Sequence, residues 1–220
     1  PWILKPVERM VRFLYRRFDR TLVTSRGFVP SVVRHGAPQD RVEYHPQSAE
    51  RIFRPLEIPS DAPERGLLPK GFVLLFGGNI GVSQDFPTIL DAADHTRNRE
   101  DLHWVIIGSG RMENWVREQV AVRRLEGTVH LLGRHPLERM PWFFACADVL
   151  LVTLKQDPIY GVTLPAKLQA YMACGRPVLA ALDGEGAQVI RESGCGLAVP
   201  SGDPKALAEA ALRLASLSGE

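Results

Sequence analysis

A lysine placed just inside the start of a predicted helix is the residue in this sequence best suited to meet an anion. It lies in residues 160–177, YGVTLPAKLQAYMACGRP. Pro165 suits a first helical turn, where its missing N–H costs nothing. Lys167 then lies in that turn, among the unpaired N–H groups. A cation there runs against the usual preference for acidic residues at a helix start. Contact with a phosphate would use both the amides and the charge; the plainer reading is a lysine extended into water. Further along, Leu168, Tyr171 and Met172 read as core. Gly175 can take the left-handed cap and Pro177 prevents continuation. A few residues later, DGEGAQVI places Glu185 at the opening of another helix. That carboxylate suits a cap, or could accept hydrogen bonds from the two hydroxyls of a ribose; both roles stay open.

Three glycine-containing loops accompany this lysine. FGGNIGVSQD carries Gly77, Gly78, Asn79 and Gly81; IIGSGR carries Gly108, Gly110 and Arg111; LLGRHP carries Gly133, Arg134 and His135. Glycines allow close approach of a backbone to a ligand, although tight turns need them too. Arg134 and the backbone around it could hold a nucleobase. His135 is a candidate base, but a lone histidine is more often a surface residue. The glycine intervals differ from the dinucleotide fingerprint, and the second strand ends in Gly108-Ser109-Gly110 with no acidic residue. A nicotinamide-dependent enzyme is therefore disfavoured.

The elements that position these loops are legible as apolar runs: FVLLFG (72–77), LHWVIIG (102–108), TVHLLG (128–133), DVLLVTL (148–154), PVLAAL (177–182) and GLAVP (196–200). Predicted helices separate them, over FPTILDAADHT, RMENWVREQVAVRR, LERMPWFFACA, 164–174, 185–193 and 204–217. Apolar strands alternating with helices predict a parallel sheet covered on both faces. The expected fold is α/β: a Rossmann-like, doubly wound parallel sheet of six strands. Ligands bind such sheets at the carboxyl ends of the strands, which is where all these loops lie.

The front of the chain differs. Residues 1–20, PWILKPVERMVRFLYRRFDR, alternate basic and apolar residues at helical spacing, with Val7, Met10, Val11, Leu14 and Phe18 on one face and Arg9, Arg12, Arg16 and Arg17 on much of the rest. A short strand (RTLVTS), a short helix closed by Gly36 and a second strand (DRVEYHP) follow. The expected division is 1–50 as the tail of a preceding α/β domain, 51–70 as a proline-rich linker, and 71–220 as the Rossmann-like domain. The basic segment is expected to pack as a helix beside the sheet; contact with an anionic membrane is its alternative.

Composition narrows the classes. The 220 residues are 45% hydrophobic and 24% charged, with a net charge of +2, which implies no general affinity for nucleic acid. No apolar run reaches the roughly 18–20 residues of a spanning helix. Cys146, Cys174 and Cys195 lack metal-ligand spacing and are expected as reduced, mostly buried thiols in a cytoplasmic protein. The chain opens on Pro1, and is read as part of something longer.

These residues also resemble a family. PAKLQAYMACGRPVLAALDGEGAQVIRESGCGLAVPSGDPKALAEAALRLA is similar to the donor-binding half of family 4 glycosyltransferases, whose GT-B fold sets two Rossmann-like domains face to face. FGGNIGVSQDFPTILDAA and LLGRHPLERMPWFFACADVLLVTL match in order and spacing, and the front resembles the end of the N-terminal domain with its linker. The nearest likeness is to bacterial enzymes of surface-polysaccharide assembly, including those that add fucosamine-type sugars. The resemblance implies retaining transfer from a nucleotide-diphosphate sugar, expected to be UDP-linked, to a saccharide or polyprenyl-linked acceptor, with no metal and no other cofactor. Lys167 is the expected catalytic group. Gly78, Asn79, Gly81, Gly108, Gly110, Arg134, Pro165 and Glu185 are the expected donor contacts. The expected location is the cytoplasm, up to the inner face of the cell membrane, and the fragment is expected to be weak or inactive.

Two departures matter. Most members carry two glutamates with seven residues between them where this chain has Val162 and Ala170; a subgroup with Pro165, Lys167 and Gln169 manages without them. Many also carry an arginine and a lysine in the first glycine loop, where this chain offers Asn79, Ser83 and Gln84. A non-catalytic nucleotide-sugar-binding domain and a nucleotide-sugar 2-epimerase of the same architecture are the rival readings.

Overall fold

Strands rich in β-branched and aromatic residues, each too apolar to face water, dictate the architecture. In the computed structural model, which describes Trp2 and residues 4–217, they are β3 (Phe72–Gly77), β4 (Leu102–Ile107), β5 (Val129–Gly133), β6 (Val149–Thr153), β7 (Val178–Ala181) and β8 (Gly196–Val199); a shorter pair, β1 (Thr21–Val23) and β2 (Val42–Tyr44), precedes them. Pro1, Ile3 and 218–220, included in the expected boundaries, lie outside the described residues.

The large sheet is six-stranded and parallel throughout, in the order β5-β4-β3-β6-β7-β8. The chain winds outward from β3 to β5, then returns beside β3 and winds the other way. The strand order therefore reverses between β3 and β6, the point at which such sheets open a crevice.

Alternating side chains along each strand feed two cores. Phe72, Leu74, Phe76, Trp104 and Ile106 pack beneath α4 (Phe86–His95), α5 (Glu113–Val122) and α10 (Pro204–Leu217). Val73, Leu75, Val105, Ile107 and Val152 pack beneath α6 (Met140–Cys146), α8 (Ala166–Ala173) and α9 (Gly184–Ser193). Trp104 keeps its indole N–H satisfied by donating to the Thr96 hydroxyl at 3.0 Å.

The front of the chain forms α1 (Leu4–Arg17), β1, α2 (Val29–Arg34) and β2, with β1 and β2 paired in parallel. The expectation that α1 packs beside a sheet does not hold among the described residues. None of its residues is buried, and Val7, Met10 and Leu14 are 42%, 56% and 40% exposed. The strand pair is too small to cover a helix of this length. Arg12 of α1 does lie against Gly36, where an added Cβ would meet its Cγ at 2.8 Å.

The linker is also more ordered than its prolines suggest. Pro63 starts a short helix, α3 (Pro63–Leu67), which places the buried Glu64 in an ion pair with Arg139 beside α6. Likewise the 155–165 loop contains one helical turn, α7 (Pro158–Gly161), capped by the Asp157 side chain. The three cysteines are free, with Cys174 buried and Cys146 and Cys195 half-buried.

Candidate functional site

At the reversal point the β3–β6 ladder pairs Leu74 with Val149 and Leu75 with Leu150 and extends no further. Beyond it the backbone of Gly77 is satisfied by a side chain. The buried Tyr171 hydroxyl accepts from the Gly77 N–H at 2.8 Å and donates to its carbonyl at 3.0 Å. Burial pushes the ionisation of this phenol well above its usual range, so it stays a neutral donor and acceptor.

The crevice so opened is a cavity of about 530 Å³, within the size range of small-molecule sites. Gly78, Asn79, Gly108 and Ser109 form one side, Ala166, Lys167, Ala170 and Tyr171 of α8 another, and Arg134 with His135 a third. The last wall comes from the linker and its approach: Gln47, Ser48, Ala49, Glu50 and Phe53. Phe53 is fixed there by stacking on Phe144, centroids 5.9 Å apart.

Glycine is required where the two loops meet. Gly108 has φ +147°, and an added Cβ would sit 1.8 Å from the Gly78 carbonyl oxygen. The contact is locked by the Gly78 N–H donating to Ile107 at 2.9 Å and the Ile80 N–H donating to Ser109 at 2.9 Å. Gly78 has φ +141°, and its Cβ position lies 3.7 Å from the Lys167 Nζ.

That ammonium is the central charge of the cavity. It donates to the Gln84 side-chain oxygen and lies 3.7 Å from the centroid of the Phe76 ring. Burial, with no carboxylate opposing it, pushes its pKa from 10.5 down to about 7.

The structure thus brings Gly78, Asn79, Gly108, Arg134 and Lys167 together around one cavity. Other expected contacts fall outside its walls. Gly81 and Gly110 instead make room for the Asn79 side chain, since a Cβ at either would come within 2.7 Å or 2.6 Å of it. Pro165 is the N-cap residue of α8, with ψ 130°, and not part of its first turn; Ala166 takes that place. Pro165 is extended because proline's ring suits this entry and its successor supplies the first helical N–H.

Glu185 departs furthest from expectation. Its carboxylate accepts from the Arg26 N–H at 2.7 Å, the Gly27 N–H at 2.6 Å and the Ser25 hydroxyl at 2.5 Å, and it is absent from the cavity wall. The physical reason is supply: the turn between β1 and α2 offers three converging donors, and a carboxylate satisfies all three. Burial alone would raise this carboxyl; the hydrogen bonds from Ser25, Gly27 and Arg26 outweigh it and hold the pKa below its ordinary 4.5.

Ala170 and Val162 stand where the family resemblance implies glutamates. Ala170 lies on the cavity wall, whereas Val162 packs against Gly27. Glu50 supplies the carboxylate among the lining residues. His135 tilts against the Phe143 ring at 4.6 Å. Sequence reasoning missed Tyr171, taken as core, and the 47–53 wall, which straddles the expected end of the domain tail and the start of the linker. Phe53, a large apolar residue within a polar proline-rich stretch, was the available signal.

Comparison with known proteins bears on this geometry. A family model described as "Glycosyl transferases group 1" matches residues 71–216. A probable glycosyltransferase, WbjE of Pseudomonas aeruginosa, is 30% identical over 223 residues, covering 97% of this chain and 55% of that protein. A putative teichuronic acid biosynthesis glycosyltransferase, TuaH of Bacillus subtilis strain 168, is 27% identical over 169 residues, covering 76% of this chain and 38% of that one. Among solved structures, Anabaena Alr3699/HepE in complex with UDP superimposes with a TM-score of 0.80 at 18% identity, covering 96% of this chain and 58% of that one. The chain spans about half the length of the curated relatives it matches.

Proposed function

Because this chain belongs to the family of group 1 glycosyl transferases, we propose that its cavity grips the diphosphate of a nucleotide sugar, and that the longer protein transfers the sugar to a hydroxyl. One observation carries this reading: the ammonium of the half-buried Lys167 lies beneath a glycine whose missing side chain leaves it 3.7 Å from the Cβ position, at the reversal point of a parallel sheet. The fold, a six-stranded parallel sheet like that of GT-B glycosyltransferases, supports it.

The proposed chemistry follows from charge. As the glycosidic bond breaks, negative charge grows on the distal phosphate of the departing nucleoside diphosphate. Lys167, Arg134 and the first-turn amides of α8 are the groups that would stabilise it, an electrostatic role of the kind that dominates many enzymes. No divalent metal is needed for this. The transfer is proposed to be retaining, from a UDP-linked donor to a saccharide or polyprenyl-linked acceptor in bacterial surface-polysaccharide synthesis. The name of the Bacillus relative supports the polysaccharide role, and the UDP held by the Anabaena neighbour supports the UDP-linked donor.

Calorimetric titration of UDP, GDP and dTDP into the full-length protein and its Lys167→Met variant tests the grip. Binding that survives the substitution unchanged overturns it. A second reading, nucleotide-sugar binding without catalysis, is favoured by Ala170, an apolar residue on the cavity wall where the family resemblance implies a glutamate. A transfer and hydrolysis assay on the same protein separates the two.

Peripheral membrane contact is proposed for α1, whose exposed apolar side is flanked by Arg9, Arg12, Arg16 and Arg17. No helix among the described residues is long and apolar enough to cross a membrane. Cosedimentation of the full-length protein with anionic but not neutral vesicles, lost in Arg16→Glu/Arg17→Glu, is the expected result. Equal recovery with both vesicle types, or with neither, removes this part of the proposal.

A further inference from the structure

We propose that Gln84 is the positioning residue of the Lys167 ammonium, and that its neutrality keeps the lysine's charge available to an anion. The inference rests on the reading that Lys167 meets the donor's diphosphate.

Gln84 is anchored on every side. Its N–H donates to Gly81 at 3.1 Å, its carbonyl accepts from the buried Thr153 hydroxyl at the end of β6, and its side-chain amide donates to the Ser83 hydroxyl at 3.2 Å. The Ser83 carbonyl beside it accepts from the Lys155 N–H at 3.0 Å. The side-chain oxygen is oriented by the same planar amide, and that oxygen receives the Lys167 ammonium. The other ring of contact, the face of Phe76, is also uncharged. A buried ammonium needs an acceptor; a carboxylate there would satisfy it and cancel its charge as well. An amide satisfies the hydrogen bond and leaves the charge intact. The loop therefore presents, on a neutral acceptor, a cation that belongs to α8.

Gln84→Glu is nearly isosteric and isolates the charge. In the full-length protein, titration with UDP and with pyrophosphate is expected to show affinity about 10–100-fold weaker for Gln84→Glu, the scale of one lost charge-assisted contact. Gln84→Met, which keeps the charge but loses the acceptor, is expected to lose less. The pH profile adds a readout that simple loop damage would not move. Wild-type affinity should fall as pH rises through about 7, where the lysine deprotonates. In Gln84→Glu that fall moves to higher pH, and in Gln84→Met to lower pH. Arg134, His135, Glu50 and Tyr171 share the cavity, and Asp85 follows Gln84. Their ionisation and the ligand's own are common to all variants and cancel in the ratio.

Wild-type affinity and pH profile in Gln84→Glu would overturn the proposal, as would a larger loss in Gln84→Met than in Gln84→Glu. Should Gln84→Glu fail to fold, the Gln84→Met profile decides: an unmoved midpoint overturns the proposal. Lys167→Met distinguishes the underlying reading. If it binds UDP and pyrophosphate normally, the diphosphate grip itself fails; if it loses binding while Gln84→Glu does not, only the role of Gln84 fails.

Discussion

The Gly27 N–H donates to the Glu185 carboxylate at 2.6 Å across 158 residues of sequence, and so ties the front of the chain to the Rossmann-like domain. Ser25, fully buried, sets its one hydroxyl proton between two acceptors, the same carboxylate and the Val162 carbonyl. Gly27 fits because a Cβ there would meet Val162 Cβ at 2.8 Å. Glu185→Ala is expected to cost about 1–3 kcal/mol, the range for hydrogen bonds to a charged group. Ser25→Ala combined with it should add little, because both remove one network. The pH dependence follows from the depressed carboxyl: its contribution is complete above the unfolded value near 4.5 and fades as pH falls through the lower folded value. Thermal unfolding of the four proteins of this cycle from pH 7 down to 3 checks both; strictly additive losses would refute the shared network.

Lys167 should trade stability for function. Its folded pKa lies below its unfolded one, so the unfolded chain binds more protons between about 7 and 10.5. Stability of the ligand-free protein therefore rises with pH across that window. Lys167→Met, which removes the buried charge, is expected to stabilise the ligand-free protein by about 0.5–2 kcal/mol. In the full-length protein the same change should slow the proposed transfer about 10²–10³-fold, as loss of one oxyanion donor does. Denaturant unfolding and steady-state rates on one preparation measure the two together.

The two glycines at the loop crossing should respond differently. Gly108→Ala must displace the Gly78 carbonyl, 1.8 Å from the new Cβ, and is expected to destabilise by more than about 3 kcal/mol. Gly78→Ala has space, and its cost is the positive φ, about 1–2 kcal/mol. Its methyl group would lie over the Lys167 ammonium, so UDP affinity should fall more than stability. Equal unfolding midpoints for the two variants would contradict this difference.

Tyr171→Phe removes the hydroxyl that serves both polar groups of Gly77. Two buried backbone groups lose their partner, at an expected cost of about 1–3 kcal/mol. Faster amide exchange at Gly77, with the remainder of β3 protected as before, is the signature; uniform exchange along β3 would mean that the hydroxyl is not holding the strand end.

The sequence by itself determined the six strands, their alternation with helices and the edge of the sheet that carries the loops. These follow from local patterns: continuous apolar runs are buried on both faces, and glycine and proline mark the turns. It also singled out Lys167, because a cation in a helix's first turn is locally anomalous. Only the tertiary structure decided which charged groups share a space. Glu185 had two chemically sound roles in sequence, and its third, against Ser25 and Gly27, depends on donors 158 and more residues away. Gln84 and Tyr171 gained their roles in the same way, through partners 83 and 94 residues distant. Periodicity records which face of an element is buried; it carries no record of which distant polar atom waits there. That pairing is fixed when the strand order reverses at β3 and β6 and brings α8 over the first glycine loop.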